Sequence, residues 1–202
     1  MKRTAILIAA LAGLLLAAQA NAQAPGQGFY LGLGGGTVWS KGGQVYNDTV
    51  NEDAGPGGKV YAGYMSTDSF GMEIGLHSLG RYDIEFANAK ISDMRTAALS
   101  VSGVYTRPLF DTGYNLNVRL GLAFTEAKYT CASSCGIGVP LNVDTTKRGV
   151  SGTIGLGIGA LITQNLSMRM DFDHFGDVNH QVDLTQFKES YDVFSVNLQL
   201  RF

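Results

Sequence analysis

The strongest constraint on the fold of this chain is a strict alternation of apolar and polar residues over its last nine positions. The residues on one parity are all apolar: Phe194, Val196, Leu198, Leu200 and Phe202. The residues between them are Ser, Asn, Gln and Arg. Successive side chains of a strand point to opposite sides, so a period of two is typical of a β-strand with one apolar face. The end of the chain therefore predicts a strand.

The same alternation recurs along the chain and predicts eight strands. They are expected near residues 28–40, 57–66, 70–81, 93–107, 113–129, 146–162, 165–176 and 191–202. Between them, short turns near 66–69, 108–112 and 163–164 alternate with long polar stretches at 41–56, 82–92, 130–145 and 177–190. Short turns on one side and long loops on the other are typical of an outer-membrane β-barrel.

The polar parity of these strands separates a membrane barrel from a soluble β-sandwich. A sandwich presents many charged side chains to water. Here Gly, Ser, Thr and Asn dominate, with isolated charges. Aromatic residues at the strand ends near the short turns predict an interfacial girdle: Phe29, Tyr64, Phe70, Tyr105 and Tyr114. We expect an all-β fold, an eight-stranded antiparallel up-and-down transmembrane barrel, with a secreted sandwich or lipocalin-like barrel as the alternative.

The amino terminus predicts export. Lys2 and Arg3 precede an apolar stretch at residues 5–18, and Ala20-Asn21-Ala22 is a small-x-small cleavage site. We expect a signal peptide at residues 1–22 and a barrel domain at residues 23–202, in the outer membrane of a Gram-negative bacterium; an uncleaved signal anchor is the alternative. A net charge of −2 and a pI near 5.9 argue against nucleic-acid binding.

Several short segments resemble one family. FGMEIG at residues 70–75, NVRLG at 117–121 and SMRMD at 167–171 are similar to the third, fifth and seventh strands of the membrane domain of outer membrane protein A and its small single-domain relatives. The closing Leu200-Arg201-Phe202 resembles the carboxy-terminal signal that the barrel assembly machinery recognises. The resemblance implies the barrel fold and a lumen-facing glutamate at Glu73. The chain ends at Phe202, so we expect no peptidoglycan-binding domain.

Charged residues collect on the parity expected to face the lumen. They are Glu73, Asp171, Asp173, Arg119, Arg169 and Arg201, with Lys59 as a further candidate. Buried charges must pair, which predicts a compensating network in a plugged lumen. The alternative is a gated polar passage in which Glu73 switches between Arg119 and Arg169. The lumen-parity glycines Gly155, Gly157 and Gly159 stand where the family often places a charge, and they either leave room for water or accommodate bulky neighbours.

Chemistry beyond this network is sparse. Cys131 and Cys135 predict a small disulfide ring in a long loop, with a two-thiolate metal site as the alternative. We expect no cofactor, no metal site and no catalytic residue: the strand of His174 offers no outward serine, and His77 and Ser78 point to opposite faces.

The sequence thus predicts a monomeric barrel with a structural or surface-interaction role. The alternatives are a narrow channel for small solutes or ions, an adhesin or immune-evasion protein, and a lipid A-modifying enzyme. The expected partners are outer-membrane lipid and lipopolysaccharide, with the barrel assembly machinery and periplasmic chaperones during biogenesis.

Overall fold

The computed structural model describes residues 27–41, 44–45, 48–49, 54–86, 89–110, 112–131, 145–182 and 185–202. Eight long strands account for most of them: β1 Gly28–Lys41, β2 Ala54–Met65, β3 Phe70–Phe86, β4 Ala89–Leu109, β5 Tyr114–Cys131, β6 Thr145–Leu161, β7 Leu166–Val182 and β8 Thr185–Arg201. A further two-residue ladder pairs Gln44–Val45 with Asp48–Thr49. Within the described ranges, no helix is long and apolar enough to span a bilayer.

The eight strands form a closed antiparallel barrel. Each strand pairs with its neighbours in chain order, and β1 pairs with β8 from Tyr30 opposite Arg201 to Lys41 opposite Ser190. At the seam the amide of Phe202 donates a hydrogen bond of 2.9 Å to the carbonyl of Phe29. Closure satisfies the backbone groups that a bilayer would leave unpaired at a free edge. The predicted eight-stranded up-and-down barrel is confirmed.

The strands extend farther toward the long-loop end than the sequence predicted. Residues 82–86 and 89–92 belong to β3 and β4, and residues 177–182 and 185–190 belong to β7 and β8, so the loops predicted at 82–92 and 177–190 were wrong. The physical reason is that alternation marks the part of a strand with one face on lipid. Beyond the bilayer both faces meet water, and backbone pairing continues without an apolar parity.

The outward face of the barrel carries a continuous apolar band. On β5 the outward residues from Tyr114 to Phe124 are apolar, and this length spans about 25 Å for a tilted strand. Leu120 is 69% exposed and Leu122 is 53% exposed, values typical of side chains that face lipid. The band height matches the apolar belt of outer-membrane barrels.

Aromatic side chains gather at the short-turn end of this band. Phe29, Tyr64, Phe70 and Tyr114 are exposed there, and Tyr105 is partly exposed. The ring centroids of Phe29 and Tyr64 are 4.7 Å apart, and those of Phe70 and Tyr105 are 5.1 Å apart. The predicted girdle residues therefore lie at one end of the barrel, and four of them contact each other as two cross-strand pairs.

The barrel interior contains three layers. An apolar cluster lies nearest the short turns and consists of Tyr30, Tyr61, Met65 and Val104. A second cluster lies toward the long loops and consists of Val38, Leu79, Ala98, Ala123, Phe175, Tyr191 and Val193. Charged side chains fill the space between the two. An eight-stranded barrel has an interior just wide enough for side chains of this size.

Candidate functional site

Six charged side chains form the middle layer, which we call the charged layer. β2, β3, β5 and β7 each direct alternate residues inward, and these positions fall on that parity. The members of the charged layer, each with an exposed fraction below one tenth, are Lys59, Glu73, Arg119, Arg169, Asp171 and Asp173. The structure therefore brings together five of the six lumen residues expected from the sequence, together with the further candidate Lys59.

Two aspartates of β7 bind cations from two other strands. Lys59 Nζ lies 2.7 Å from Asp171 Oδ2 and 2.8 Å from Asp173 Oδ2. Arg119 Nη1 lies 3.0 Å from Asp171 Oδ1, and its Nη2 lies 2.6 Å from Asp173 Oδ1. Each aspartate is thus shared between β2 and β5, which are not neighbours in the barrel wall. These contacts join strands across the interior.

Arg169 completes the layer from the same strand. Its Nη1 lies 3.0 Å from Glu73 Oε2, and its Nε lies 2.8 Å from Asp171 Oδ2. Asp171 therefore contacts all three cations. Arg119 Nε is 3.9 Å from Glu73 Oε1, a longer approach than that of Arg169. The charged layer holds three cations and three anions, and this balance offsets the desolvation that isolated buried charges would suffer.

Neutral side chains satisfy the remaining hydrogen-bonding capacity of the carboxylates and the guanidinium. Tyr30 donates its hydroxyl to Glu73 Oε2 at 3.0 Å, and Asn197 Nδ2 donates to Asp171 Oδ2 at 2.9 Å. Arg169 packs over the ring of Tyr61, with its guanidinium carbon 4.3 Å from the ring centroid. Through these groups β1 and β8 also contact the charged layer, so a change at one member affects most of the wall.

The glycines of β6 provide the space that the charged layer occupies. A side chain at Gly155 would overlap the Asp173 carboxylate and would also crowd the Arg119 guanidinium. A side chain at Gly157 would overlap the Asp171 carboxylate. The sequence left open whether these glycines leave room for water or accommodate bulky neighbours such as Tyr30, Tyr61 and Met65; the side chains found beside Gly155 and Gly157 are instead those of the charged layer.

The other residues singled out by the sequence lie apart from the charged layer. Arg201 is partly exposed near the short turns and, within the described residues, makes no ion pair with these carboxylates. Cys131 ends β5, whereas Cys135 and residues 1–22 lie outside the described residues. The disulfide and the signal peptide remain predictions. The members of the expected assembly signal on β8, from Phe194 to Leu200, face outward.

The sequence did not predict that two interior tyrosines contact the charged layer. Tyr30 and Tyr61 support the charged layer from the short-turn side, and the signal that could have identified them is an aromatic residue on the polar parity of each strand. Leu79 is fully buried on the lumen parity of β3, whereas Arg81 on the same parity is exposed, because the register shifts between Ser78 and Arg81, where Gly80 has a φ of 101°. A β-bulge of this kind reverses the expected face of a residue.

The side chains of His77 and His174 each have a polar partner. His174 Nδ1 lies 2.6 Å from Asp192 Oδ1 near the outer surface, and the register places Ile154 on its other side. His77 is buried, with its Nε2 2.9 Å from Ser100 Oγ in the interior. Across the described ranges, no group of three or more potential ligands is arranged to hold a metal ion.

Comparison with known proteins agrees with this architecture. The sequence matches the model of the outer membrane protein beta-barrel domain over residues 8–202. The chain belongs to this family. Membership places it among barrels of the Gram-negative outer membrane, and the small-barrel resemblance seen in the sequence is confirmed. No curated protein matches the sequence of this chain.

Solved structures of other small outer-membrane barrels share the fold. Neisserial surface protein A superposes with a TM-score of 0.64 at 13% identity, covering 86% of this chain and 97% of that one. Ail, the attachment invasion locus protein of Yersinia pestis, gives 0.55 at 12% identity, with 87% and 99% covered. OprG from Pseudomonas aeruginosa gives 0.55 at 12% identity, with 90% and 99% covered. At these identities the similarity describes the fold alone.

Proposed function

We propose that this protein is a closed structural barrel of the outer membrane, without a conducting path and without catalytic activity, which acts through its outer surface and loops. The observation that carries the proposal is the layered interior. The charged layer, in which cations and anions balance, lies between two apolar clusters. An ion would therefore have to cross packed aromatic and aliphatic side chains as well as the ion pairs. Such a path is costly for a hydrated ion.

The pattern of contacts also argues against the switch of Glu73 between two arginines. Arg169 holds Glu73 through both terminal nitrogens, whereas Arg119 is already engaged by Asp171 and Asp173. Moving Glu73 to Arg119 would leave Arg169 with a single carboxylate partner in a buried position. Removing a partner from a buried charge in this way costs several kcal/mol. We therefore assign the charged layer a stabilising role.

A role as an adhesin is the second candidate. β3, β4, β7 and β8 continue past the apolar band, which gives the loops a rigid base outside the bilayer. Ail, which shares this fold, is an attachment invasion locus protein, and the candidate role for this chain is a comparable attachment. A lipid A-modifying enzyme has less support. Such a site would need a serine beside the His174 and Asp192 pair, and the other cross-strand neighbour of His174 is Ile154.

Biogenesis follows from the same assignment. We propose export with a cleaved signal peptide at residues 1–22, delivery by periplasmic chaperones and insertion by the barrel assembly machinery. The outward alternation that ends at Phe202 supplies the recognition signal. Insertion as a monomer fits a wall in which every barrel strand is paired within the chain.

Planar-bilayer recording tests the closed barrel. We expect the folded protein to insert without producing conductance steps at neutral pH. The variant Tyr30→Ala/Tyr61→Ala, which removes the aromatic layer on the short-turn side, should raise the frequency of open events. Leu120→Ala, an outward change of similar kind, is the matched control and should stay silent. Regular conductance steps from the unaltered protein would contradict the proposal and favour the narrow channel.

A further inference from the structure

His77 is a buried titratable side chain that makes no ion pair with the charged layer in the described residues. It points inward from β3, and its exposed fraction is 8%. Its Nε2 lies 2.9 Å from Ser100 Oγ of β4, and its ring centroid lies 5.0 Å from that of Phe175 of β7. Phe175 belongs to the apolar cluster on the long-loop side. His77 therefore lies where this cluster meets the charged layer.

The second ring nitrogen of His77 has no group that could accept a proton from it. Within the part of the chain that the structure describes, Nδ1 is buried without a hydrogen-bond partner. A neutral imidazole carries one N–H donor, whereas an imidazolium carries two. Protonation would thus leave a charged donor unsatisfied in the interior, which is costly. The surroundings fit the neutral ring.

The charges around His77 are balanced, so they offer an imidazolium no net attraction. Lys59 stands directly opposite His77 in the register of β2 and β3. The other charged groups that act on the ring are Asp173 of β7, Glu73 of β3 and Arg119 of β5. β4 contributes the uncharged Ser100. Two cations and two anions thus face the ring.

Both of these anions are already bound by cations. Asp173 binds Lys59 and Arg119, and Glu73 binds Arg169. An imidazolium at His77 would therefore compete with Lys59 for Asp173. Like charges directly opposite each other also destabilise a sheet. A proton on His77 consequently disturbs both the charged layer and the cluster above it.

We propose that His77 is an acid-sensitive closure of the barrel interior: its neutral ring keeps the long-loop side packed, and its protonation in mild acid admits water and ions there. This inference rests on the proposed function, because it requires a barrel that is closed at neutral pH. Histidine suits the role because its charge changes between about pH 5 and pH 8. The long-loop side faces the surroundings of the cell in barrels of this kind, so it meets the external pH.

The direction of the pH effect follows from where the imidazole is charged. In the unfolded or locally opened chain it meets water and takes up a proton below about pH 6.5, whereas the closed barrel excludes that proton. The open forms then bind more protons than the closed one, so the closed form loses stability as the pH falls. Between about pH 7.5 and pH 5.5 the ratio of open to closed forms is expected to rise about tenfold.

Planar-bilayer recording at these two pH values tests the opening. The chain has three histidines, so His174→Gln/His180→Gln leaves His77 as the sole imidazole. We expect the unaltered protein and this double variant to be closed at about pH 7.5 and to show at least about tenfold more open events at about pH 5.5. His77→Gln, whose amide can still hydrogen-bond Ser100, should be silent at both.

Guanidinium unfolding in lipid vesicles provides a second readout that does not depend on conductance. The unfolding equilibrium constant of the double variant should rise about tenfold between the same pH values, and that of His77→Gln should change less than about twofold. Should His77→Gln fail to fold, NMR spectroscopy of the double variant takes its place. Its single imidazole signal should then change in the pH range in which open events appear.

Three results would overturn the assignment. One is acid-induced opening of a folded His77→Gln. Another is a double variant that stays silent at about pH 5.5. The third is an imidazole of the double variant that takes up its proton while the barrel remains closed. Conductance steps from the unaltered protein at about pH 7.5 would contradict the closed barrel itself, whereas the three results above leave the closed barrel standing.

Discussion

Arg169 binds both carboxylate oxygens of Glu73, with Nη1 3.0 Å from Oε2 and Nη2 3.3 Å from Oε1. Glu73 lies on β3 and Arg169 on β7, and four steps around the closed sheet separate these strands. The two residues therefore join opposite sides of the barrel. A bidentate pair combines strength with a defined geometry, which makes it suited to bracing a narrow wall.

The Glu73 and Arg169 pair should contribute measurably to stability. Glu73→Gln is expected to lower the free energy of unfolding by about 3 kcal/mol, because it leaves a buried guanidinium with less compensation. The measurement is guanidinium unfolding in lipid vesicles. Glu126→Gln is the control: it removes the exposed ion pair with Arg148, whose side chain is 80% exposed, and should cost less than about 1 kcal/mol.

Double-mutant cycles should rank the partners of Glu73. We expect a larger coupling energy between Glu73 and Arg169 than between Glu73 and Arg119, because the shortest ion-pair distances are 3.0 Å and 3.9 Å respectively. The cycles use alanine variants and the same unfolding assay. Equal couplings would mean that Glu73 is shared evenly, and the bracing role assigned to Arg169 would then be wrong.

The space at Gly155 should be essential to the charged layer. Gly155→Ala is expected to lower the free energy of unfolding by about 1–3 kcal/mol, because the new methyl group would overlap the Asp173 carboxylate. Gly152→Ala on the same strand is the matched control, since a methyl group there meets nothing within 4 Å. A similar loss in both variants would point to backbone effects and contradict the packing explanation.

The last residue should matter more for assembly than for stability. We expect Phe202→Asp to reduce the amount of barrel in the outer membrane several-fold, because it interrupts the terminal alternation that the assembly machinery is proposed to recognise. Protein levels in purified outer membranes provide the measurement. Phe110→Asp is the control, since Phe110 is 89% exposed at a turn and lies outside that alternation. Normal levels of Phe202→Asp would remove the basis for the assembly signal.

The folded barrel should also differ from its unfolded form on gels. Samples left unheated are expected to migrate at a mobility distinct from heated ones, because the closed sheet resists detergent at room temperature. A single band position under both conditions, or a circular dichroism spectrum dominated by helix, would contradict the barrel.

The alternation of residues allowed the fold and the lumen-facing residues to be predicted, because parity determines the face of a strand. Parity does not determine height along the barrel axis, and for this reason the contact of Asp171 with Lys59, Arg119 and Arg169 could not be foreseen. That contact depends on the stagger between strands that are not adjacent. Parity also fails at the bulge after Ser78, beyond which Arg81 is exposed although it stands on the lumen parity of β3.

The distribution of the charged layer over the strands has a consequence for how the barrel forms. β7 supplies both aspartates and Arg169, while β2, β3 and β5 supply Lys59, Glu73 and Arg119. A nascent sheet that lacks β7 therefore carries charges with only part of their final compensation, and water must solvate them. We therefore expect water to leave the interior only after the carboxy-terminal hairpin that contains β7 has paired with the rest of the sheet. A truncated chain without this hairpin is then expected to insert poorly.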